Sequence, residues 1–260
     1  MKKLKFIALS LITVAVCLGI ASCSNDDDEP EQTVPEMPQP SVKKRLTQVT
    51  YPHSVCDISY DQEGRIEKVV STHNGAVNKT TTYSYSSSQI QVTEINISWN
   101  GHSSSYMETY SLSNGLITKI QDDWFLTYKS GRISKWTDGG GYKNFEWSMG
   151  DISSTLTHWS KDNRATYEYS DKYDYGRIVG IIADSNDLLF DDFEPYLVMQ
   201  GYFGQTPIHL VQAAIDDRGD GSDDLWKWQY EFDQDGYPIS VTTSLNGRNT
   251  DTFHFSWMEV

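Results

Sequence analysis

Basic side chains are scarce: the 260 residues carry 21 Lys and Arg against 36 Asp and Glu, a net charge of −15. Setting aside the first 22 residues, which hold Lys2, Lys3 and Lys5 and no acid, leaves 18 bases against 36 acids. Phosphate recognition starts from clustered Lys and Arg, so this balance argues against a nucleic-acid partner. Cysteine is nearly absent, with Cys17, Cys23 and Cys56 the whole set. No apolar run reaches the roughly 20 residues that a transmembrane helix needs. His53, His73, His102, His158, His209 and His254 form no pair at metal-ligand spacing, and no nucleophile motif or phosphate loop appears. The chain gives no reason to expect a cofactor or an enzyme.

Aromatic residues, in contrast, are plentiful, with 8 Trp, 16 Tyr and 9 Phe. A chain without apolar side chains cannot offset the entropy of ordering; this one can, so its body is expected to fold.

Lys2, Lys3 and Lys5 precede an apolar run from Phe6 to Ile20, the pattern of a secretory signal. The run closes on Ile20-Ala21-Ser22-Cys23, which resembles the bacterial lipobox. That resemblance implies cleavage after residue 22 and lipidation of Cys23, whose acyl chains would hold the protein at a membrane at about 0.8 kcal/mol per buried methylene. Cys17 would leave with the signal, so Cys56 could form no intramolecular disulfide and is expected to be a buried small hydrophobe. Ser24-Asn25-Asp26-Asp27-Asp28-Glu29 follows, and such an acidic run resembles the surface-export signal of Bacteroidota lipoproteins. A solvated acidic tether is the plainer alternative. Pro30, Pro35, Pro38 and Pro40 make residues 23–43 an extended linker, leaving residues 44–260 as one domain.

That domain repeats a strand, a glycine turn, a polar residue and an aliphatic residue that opens the next strand. Instances are Tyr60-Asp61-Gln62-Glu63-Gly64-Arg65-Ile66, Ser113-Asn114-Gly115-Leu116-Ile117, Tyr128-Lys129-Ser130-Gly131-Arg132-Ile133, Met149-Gly150-Asp151-Ile152, Asp174-Tyr175-Gly176-Arg177-Ile178 and Phe232-Asp233-Gln234-Asp235-Gly236-Tyr237-Pro238-Ile239. Their uneven spacing suits hairpins of varying length better than a solenoid. Aromatics recur at every second position, in Tyr83 and Tyr85, Trp124 and Tyr128 around Leu126, Phe145 and Trp147, Tyr167 and Tyr169, Trp226 to Phe232, and Phe253 to Trp257. Period-two stripes of this kind belong to half-buried antiparallel strands. The fold expected is mainly β, an antiparallel meander of about a dozen strands, curled or barrel-like. The apolar phase slips from Ile90 and Val92 to Ile95, Ile97 and Trp99, for which a bulge or a local crossing would account. From about 186 to 215 Leu189, Phe193, Tyr196 and Leu197 fall at helical spacing. A short helical insertion is expected there, with Ser185, Asn186 or Asp187 as N-cap, Pro195 opening a second turn, and the whole covering an end or face of the sheet.

The lipobox and acidic run, the Gly-Arg-Ile hairpins, Gly201-Tyr202-Phe203-Gly204 through Leu210, and Tyr230 through Pro238 together resemble a Bacteroidota surface lipoprotein family of unknown function with a porin-like fold. The resemblance implies strands curling toward a barrel, and an outer-membrane, lipid-anchored location facing the exterior; it brings no catalytic residues. The hairpins are also similar to the Tyr-Asp repeats of shell proteins, through Tyr60-Asp61 and Phe232-Asp233.

Two candidate chemistries remain. Asp216, Asp220 and Asp224 lie in a glycine-containing acidic loop of the kind that wraps calcium, but Arg218 stands where an EF-type loop wants an oxygen and Lys227 where it wants Glu, so a solvated turn is expected. Glu146, Glu168 and Glu231 sit between aromatics on separate strands, where two of them could pair as a glycosidase acid and nucleophile. The aromatic stripes are expected to be mostly core, with a minority exposed to stack on sugar rings. A non-enzymatic surface binding module follows as the leading expectation, with a glycan as ligand class. The alternatives are a carrier or structural module for an apolar ligand or outer-membrane partner, and a glycoside hydrolase.

Overall fold

The computed structural model describes residues 36–182, 188–217, 219 and 221–260, within the second of two compact units, Val34–Val260. The signal, Cys23, the acidic run, the cap candidates Ser185, Asn186 and Asp187, and Arg218 and Asp220 lie outside the described residues.

Sixteen strands follow in chain order: β1 Lys44–Thr50, β2 Ser54–Tyr60, β3 Ile66–His73, β4 Ala76–Tyr85, β5 Gln89–Ile97, β6 Ser103–Ser113, β7 Leu116–Ile120, β8 Trp124–Lys129, β9 Arg132–Thr137, β10 Tyr142–Ser148, β11 Asp151–His158, β12 Asp162–Tyr173, β13 His209–Asp217, β14 Asp224–Phe232, β15 Pro238–Leu245 and β16 Arg248–Glu259. Each pairs antiparallel with its sequence neighbours, and β1 pairs with β16 to close the barrel. About a dozen strands is therefore an undercount. The repeated glycine signature marks turns at only one rim, the proximal one, where Lys44 meets Glu259. Turns at the distal rim include Asn74-Gly75 and Asn246-Gly247, both residues of each at positive φ. Such two-residue turns need no aromatic or aliphatic neighbour, so the sequence signature passes over them.

All the aromatic stripes point inward. Tyr83, Phe145, Tyr167, Trp226, Trp228, Phe253 and Phe255 are core, and Tyr85, Trp124, Tyr128, Trp147, Tyr169, Tyr230, Phe232 and Trp257 pack against it. Their polar tips do a second job. Tyr60, Tyr85, Tyr128 and Tyr230 donate from their hydroxyls to the main-chain oxygens of Leu46, Ile66, Ile117 and Val211 at 2.5 to 2.7 Å. The indole N–H groups of Trp147 and Trp257 reach Ile133 and Pro238 in the same way, at 2.8 and 2.7 Å. In each case the aromatic near the end of an even-numbered strand is tied to the start of the odd-numbered strand before it.

The insertion between β12 and β13 fills the barrel. Its only helical turns among the described residues are α1 Val179–Ile182 and α2 Pro195–Met199. Ile178, Leu189, Phe190, Leu197, Val198 and Phe203 are fully buried against the strands. The Tyr167 hydroxyl accepts the N–H of the plug residue Leu189 at 3.0 Å, while Ile66 N–H donates to the Gln200 side-chain amide oxygen at 2.9 Å and Ile117 N–H to the Tyr202 main-chain carbonyl at 2.8 Å. Residues 200–205 thus cross the proximal rim, and the insertion lies inside the barrel as well as over its end. Where the plug crosses the β8–β9 turn, a Cβ on Gly204 would lie 2.5 Å from the Gly131 oxygen, at φ +87°, so the crossing requires glycine.

Three expectations are corrected. The helix does not run through the segment from 186: Leu189 sits at φ +48°, the residue before Pro195 is disfavoured in helical geometry, and α2 begins at that proline, while 209–215 are strand. Gly176-Arg177-Ile178 opens the plug and not a strand, because the buried Asp174 carboxylate accepts the N–H groups of Ile178 and Val179 and starts α1. β5 pairs without a bulge from Gln89 to Ile97. Its pleat stays regular while its apolar residues change side, leaving Ile95 and Ile97 outward and Glu94 inward, where it meets Lys79 at 2.9 Å.

Candidate binding notch at the distal rim

Strand lengths decide where the rim is open. β6 begins at Ser103 but meets β7 only from Tyr110 onward. Below this overshoot lies a cavity of about 210 Å³ lined by Tyr106, Glu108, Gln121, Asp123, Trp124 and Asp192. Glu108 accepts the Tyr110 hydroxyl, and Gln121 donates to the Tyr106 hydroxyl across the gap. Burial, then the Glu108 charge, pushes the Tyr110 hydroxyl far above its ordinary pKa, so it stays a donor to that carboxylate.

Asp192 is supplied by the plug and held by a buried ion cluster. Lys143, wholly buried, donates to Asp191 at 2.9 Å and to Asp192 at 3.0 Å. Burial opposes its charge, but the two aspartates outweigh this and hold the ammonium protonated. Glu194, also from the plug, accepts the Tyr83 hydroxyl at 2.7 Å and is raised by burial. Trp124 stacks face to face on Trp136, centroids 4.7 Å apart, and Trp136 meets Trp159 at 5.4 Å. Indole rings therefore run from the notch to a half-exposed Trp159 on the rim. Trp99, 98% exposed, stands in the β5–β6 turn at the distal rim.

The sequence candidates fall elsewhere. Glu146, Glu168 and Glu231 face outward on β10, β12 and β14, neighbouring members separated by one strand and Glu146 from Glu231 by three. From the registers, neighbouring members are offset along the barrel as well, which places their main chains about 12 and 16 Å apart. The structure does not bring them together. Glu146 accepts Ser154 at 2.6 Å and Glu231 accepts Ser240 at 3.0 Å. Asp216 and Asp224 are direct cross-strand partners on β13 and β14; Asp224 accepts the Asn246 amide at 2.9 Å. Among the described residues no group of His, Cys, Asp and Glu is arranged to hold a metal ion. His209 bonds Asp151 at 2.7 Å and His158 bonds Asp162 at 2.5 Å. Burial raises the Cys56 thiol. Of the notch residues, Trp124 was legible as part of a stripe; Glu108, Gln121 and Asp192 carry no local signal, because a strand overshoot and a plug contact bring them together.

No family model matches the chain, and no curated protein resembles it in sequence. Solved structures share its fold, two of them as follows. A porin-like protein from Bacteroides uniformis is 16% identical over 85% of this chain and 99% of its own, with a TM-score of 0.56. A porin-like protein from Bacteroides vulgatus is 12% identical over 83% of this chain and 99% of its own, also at 0.56. The likeness establishes the porin-like barrel fold. The outward face, however, carries Lys68, Gln91, Glu146, Arg164, Glu168, Lys227 and Glu231 on its strands, whereas a barrel in contact with lipid tails needs an outward apolar band about 25 Å tall.

Proposed function

We propose that the mature chain is a non-enzymatic module, lipid-anchored through Cys23 at the bacterial outer membrane and facing the exterior, that binds a glycan in the β6–β8 notch. The observation that carries this reading is the pairing of aromatic rings, Tyr106 and Trp124, with the hydrogen-bonding groups of Glu108, Gln121, Asp123 and Asp192 around a cavity of about 210 Å³. A sugar's apolar face covers such a ring while its hydroxyls bond the carboxylates and the amide. The cavity is smaller than the usual 300 to 1,000 Å³ of small-molecule sites, so it suits a single ring of a longer chain that continues over the rim toward Trp99. The chain enters β1 at the proximal rim, and the notch lies at the other. Polar outward strands fit a barrel that stands in water beside the membrane.

A plug of buried Phe, Leu and Val inside the barrel disfavours the carrier alternative, and the separation of the three outward glutamates disfavours the hydrolase. On a glycan array the protein should bind one polysaccharide class with a tryptophan fluorescence change and release no reducing ends. Trp124→Ala and Glu108→Gln should lose binding at least tenfold, and Glu146→Gln should not. Binding unaffected by both notch variants would sink the reading. Labelled palmitate should enter the wild type and not Cys23→Ala; a wild type without label would remove the anchor.

A further inference from the structure

The seam that closes the barrel is incomplete. β16 starts at Arg248, but β1 meets it only from His254, whose partner is Thr50. On its other side β16 stays paired with β15 as far as Arg248. One edge of β16, from Arg248 to Phe253, therefore has no strand beside it among the described residues. Pro52 is the cause. It lacks the N–H that a continuing strand would use, and the Tyr51 N–H to Ser54 carbonyl bond, 2.8 Å, turns the chain into β2. A groove of about 480 Å³ occupies the vacated place, walled by Tyr51 and Pro52 on one side and Asn249, Asp251, Thr252 and His254 on the other. That volume is within the range of ligand sites.

The edge is held open from below. Thr242 pairs with Thr252 and Ser244 with Asn249, so Thr243 faces both Thr250 and Asp251 in a bulge. Thr243 Oγ1 lies 2.6 Å from Thr250 Oγ1 and accepts the Asp251 N–H at 3.3 Å. Bulges of this kind redirect side chains and end pairing at barrel rims. The comparable overshoot of β6 is bridged by the Gln121 to Tyr106 hydrogen bond.

We propose that this edge of β16 binds an extended peptide as an added strand, at a site separate from the glycan notch. Main-chain groups recurring at the strand spacing of about 3.3 Å per residue match another strand and not a sugar ring. Of the two aromatic rings in the groove, Tyr51 and His254, Tyr51 is engaged edge-on by Phe253 at 5.3 Å, which leaves no stacking platform of the kind the notch offers. The side chains define the peptide. Its outward residues meet Asn249, Thr252 and His254 and are polar; its inward residue meets the Tyr51 and Phe253 rings and is apolar. Asp251 in the groove and the net charge of −15 select a neutral or basic segment over an acidic one.

The test is a displayed hexapeptide library that alternates Thr, Asn or Lys with Val, Ile or Tyr, panned on the full protein beside a library with proline at each alternate position. The alternating library should enrich, and the winning peptide should slow amide exchange at residues 248–253. N-methylation along the peptide's paired edge should weaken binding at least tenfold. Absence of enrichment over the proline library, equal binding of the N-methylated peptide, or protection confined to other strands would each overturn the proposal. So would an oligosaccharide that displaces the peptide from this groove while Trp124→Ala leaves that sugar's binding intact; the glycan reading fails instead if no sugar responds to Trp124→Ala.

Discussion

The guanidinium of Arg65 lies over the ring of Tyr85, 4.5 Å from its centroid, and the Tyr85 hydroxyl donates to the carbonyl of Ile66, the residue after that arginine. Arg45 and Arg132 repeat the arrangement over Tyr60 and Trp147, at 5.3 and 5.2 Å, with Leu46 and Ile133 accepting. Each clasp joins the open ends of a hairpin whose turn lies at the distal rim. It gives the Arg-aliphatic pair and the aromatic of the repeated motif one physical purpose.

Tyr85→Phe removes the hydroxyl and keeps the ring, so it should cost about 1 kcal/mol in urea unfolding. Arg65→Ala removes the cation above it. A double-mutant cycle of Arg65→Ala with Tyr85→Leu, which removes the ring, should return a coupling of about 0.5 to 1 kcal/mol; strict additivity would mean that cation and ring do not interact.

Lys143 is the buried cation between two plug aspartates, and its loss leaves both carboxylates in the interior without it. Lys143→Met should destabilise by about 3 to 5 kcal/mol, with the midpoint of urea unfolding as readout. A change under about 1 kcal/mol would show that Asp191 and Asp192 reach water or another cation on their own.

Asp174 is buried, and burial raises its carboxyl from 3.8 to about 7 in spite of the N–H groups of Ile178 and Val179 that it accepts. Between those values the folded state holds a proton that the unfolded state has lost, so this residue makes stability fall as pH rises from about 4 to about 7 and level off above. Asp174→Asn should flatten that stretch of a stability-against-pH curve. An unchanged slope would place the titration elsewhere.

Calcium should leave the melting temperature where it is, since among the described residues no cluster is arranged to hold a metal ion. Asp216 and Asp224 face one another across β13 and β14, which makes their loop the place to look. A clear rise with millimolar calcium, lost in Asp224→Asn, would establish a site there.

The sequence by itself determined the pleat and the core. Aromatics at every second position must all face one side of a strand, and a glycine at each proximal turn supplies the backbone freedom that the turn demands, so the meander and its buried stripes could be read from local chemistry. The helical spacing of Leu189, Phe193, Tyr196 and Leu197 correctly marked a segment unlike the strands, and Pro195 opens its one clear helical turn. Local chemistry reaches no further, because a period-two pattern has the same appearance in an open sheet and a closed one. Only the pairing of β1 with β16, decided by the summed curvature of sixteen strands, made the barrel. Closure then created an interior that the insertion fills, bringing Asp192 to Lys143, while the unbroken pleat of β5 turns Glu94 inward and Ile95 and Ile97 out. The notch and the free edge of β16 arise where neighbouring strands differ in length, and that difference is a relation between distant segments that no single window of residues contains.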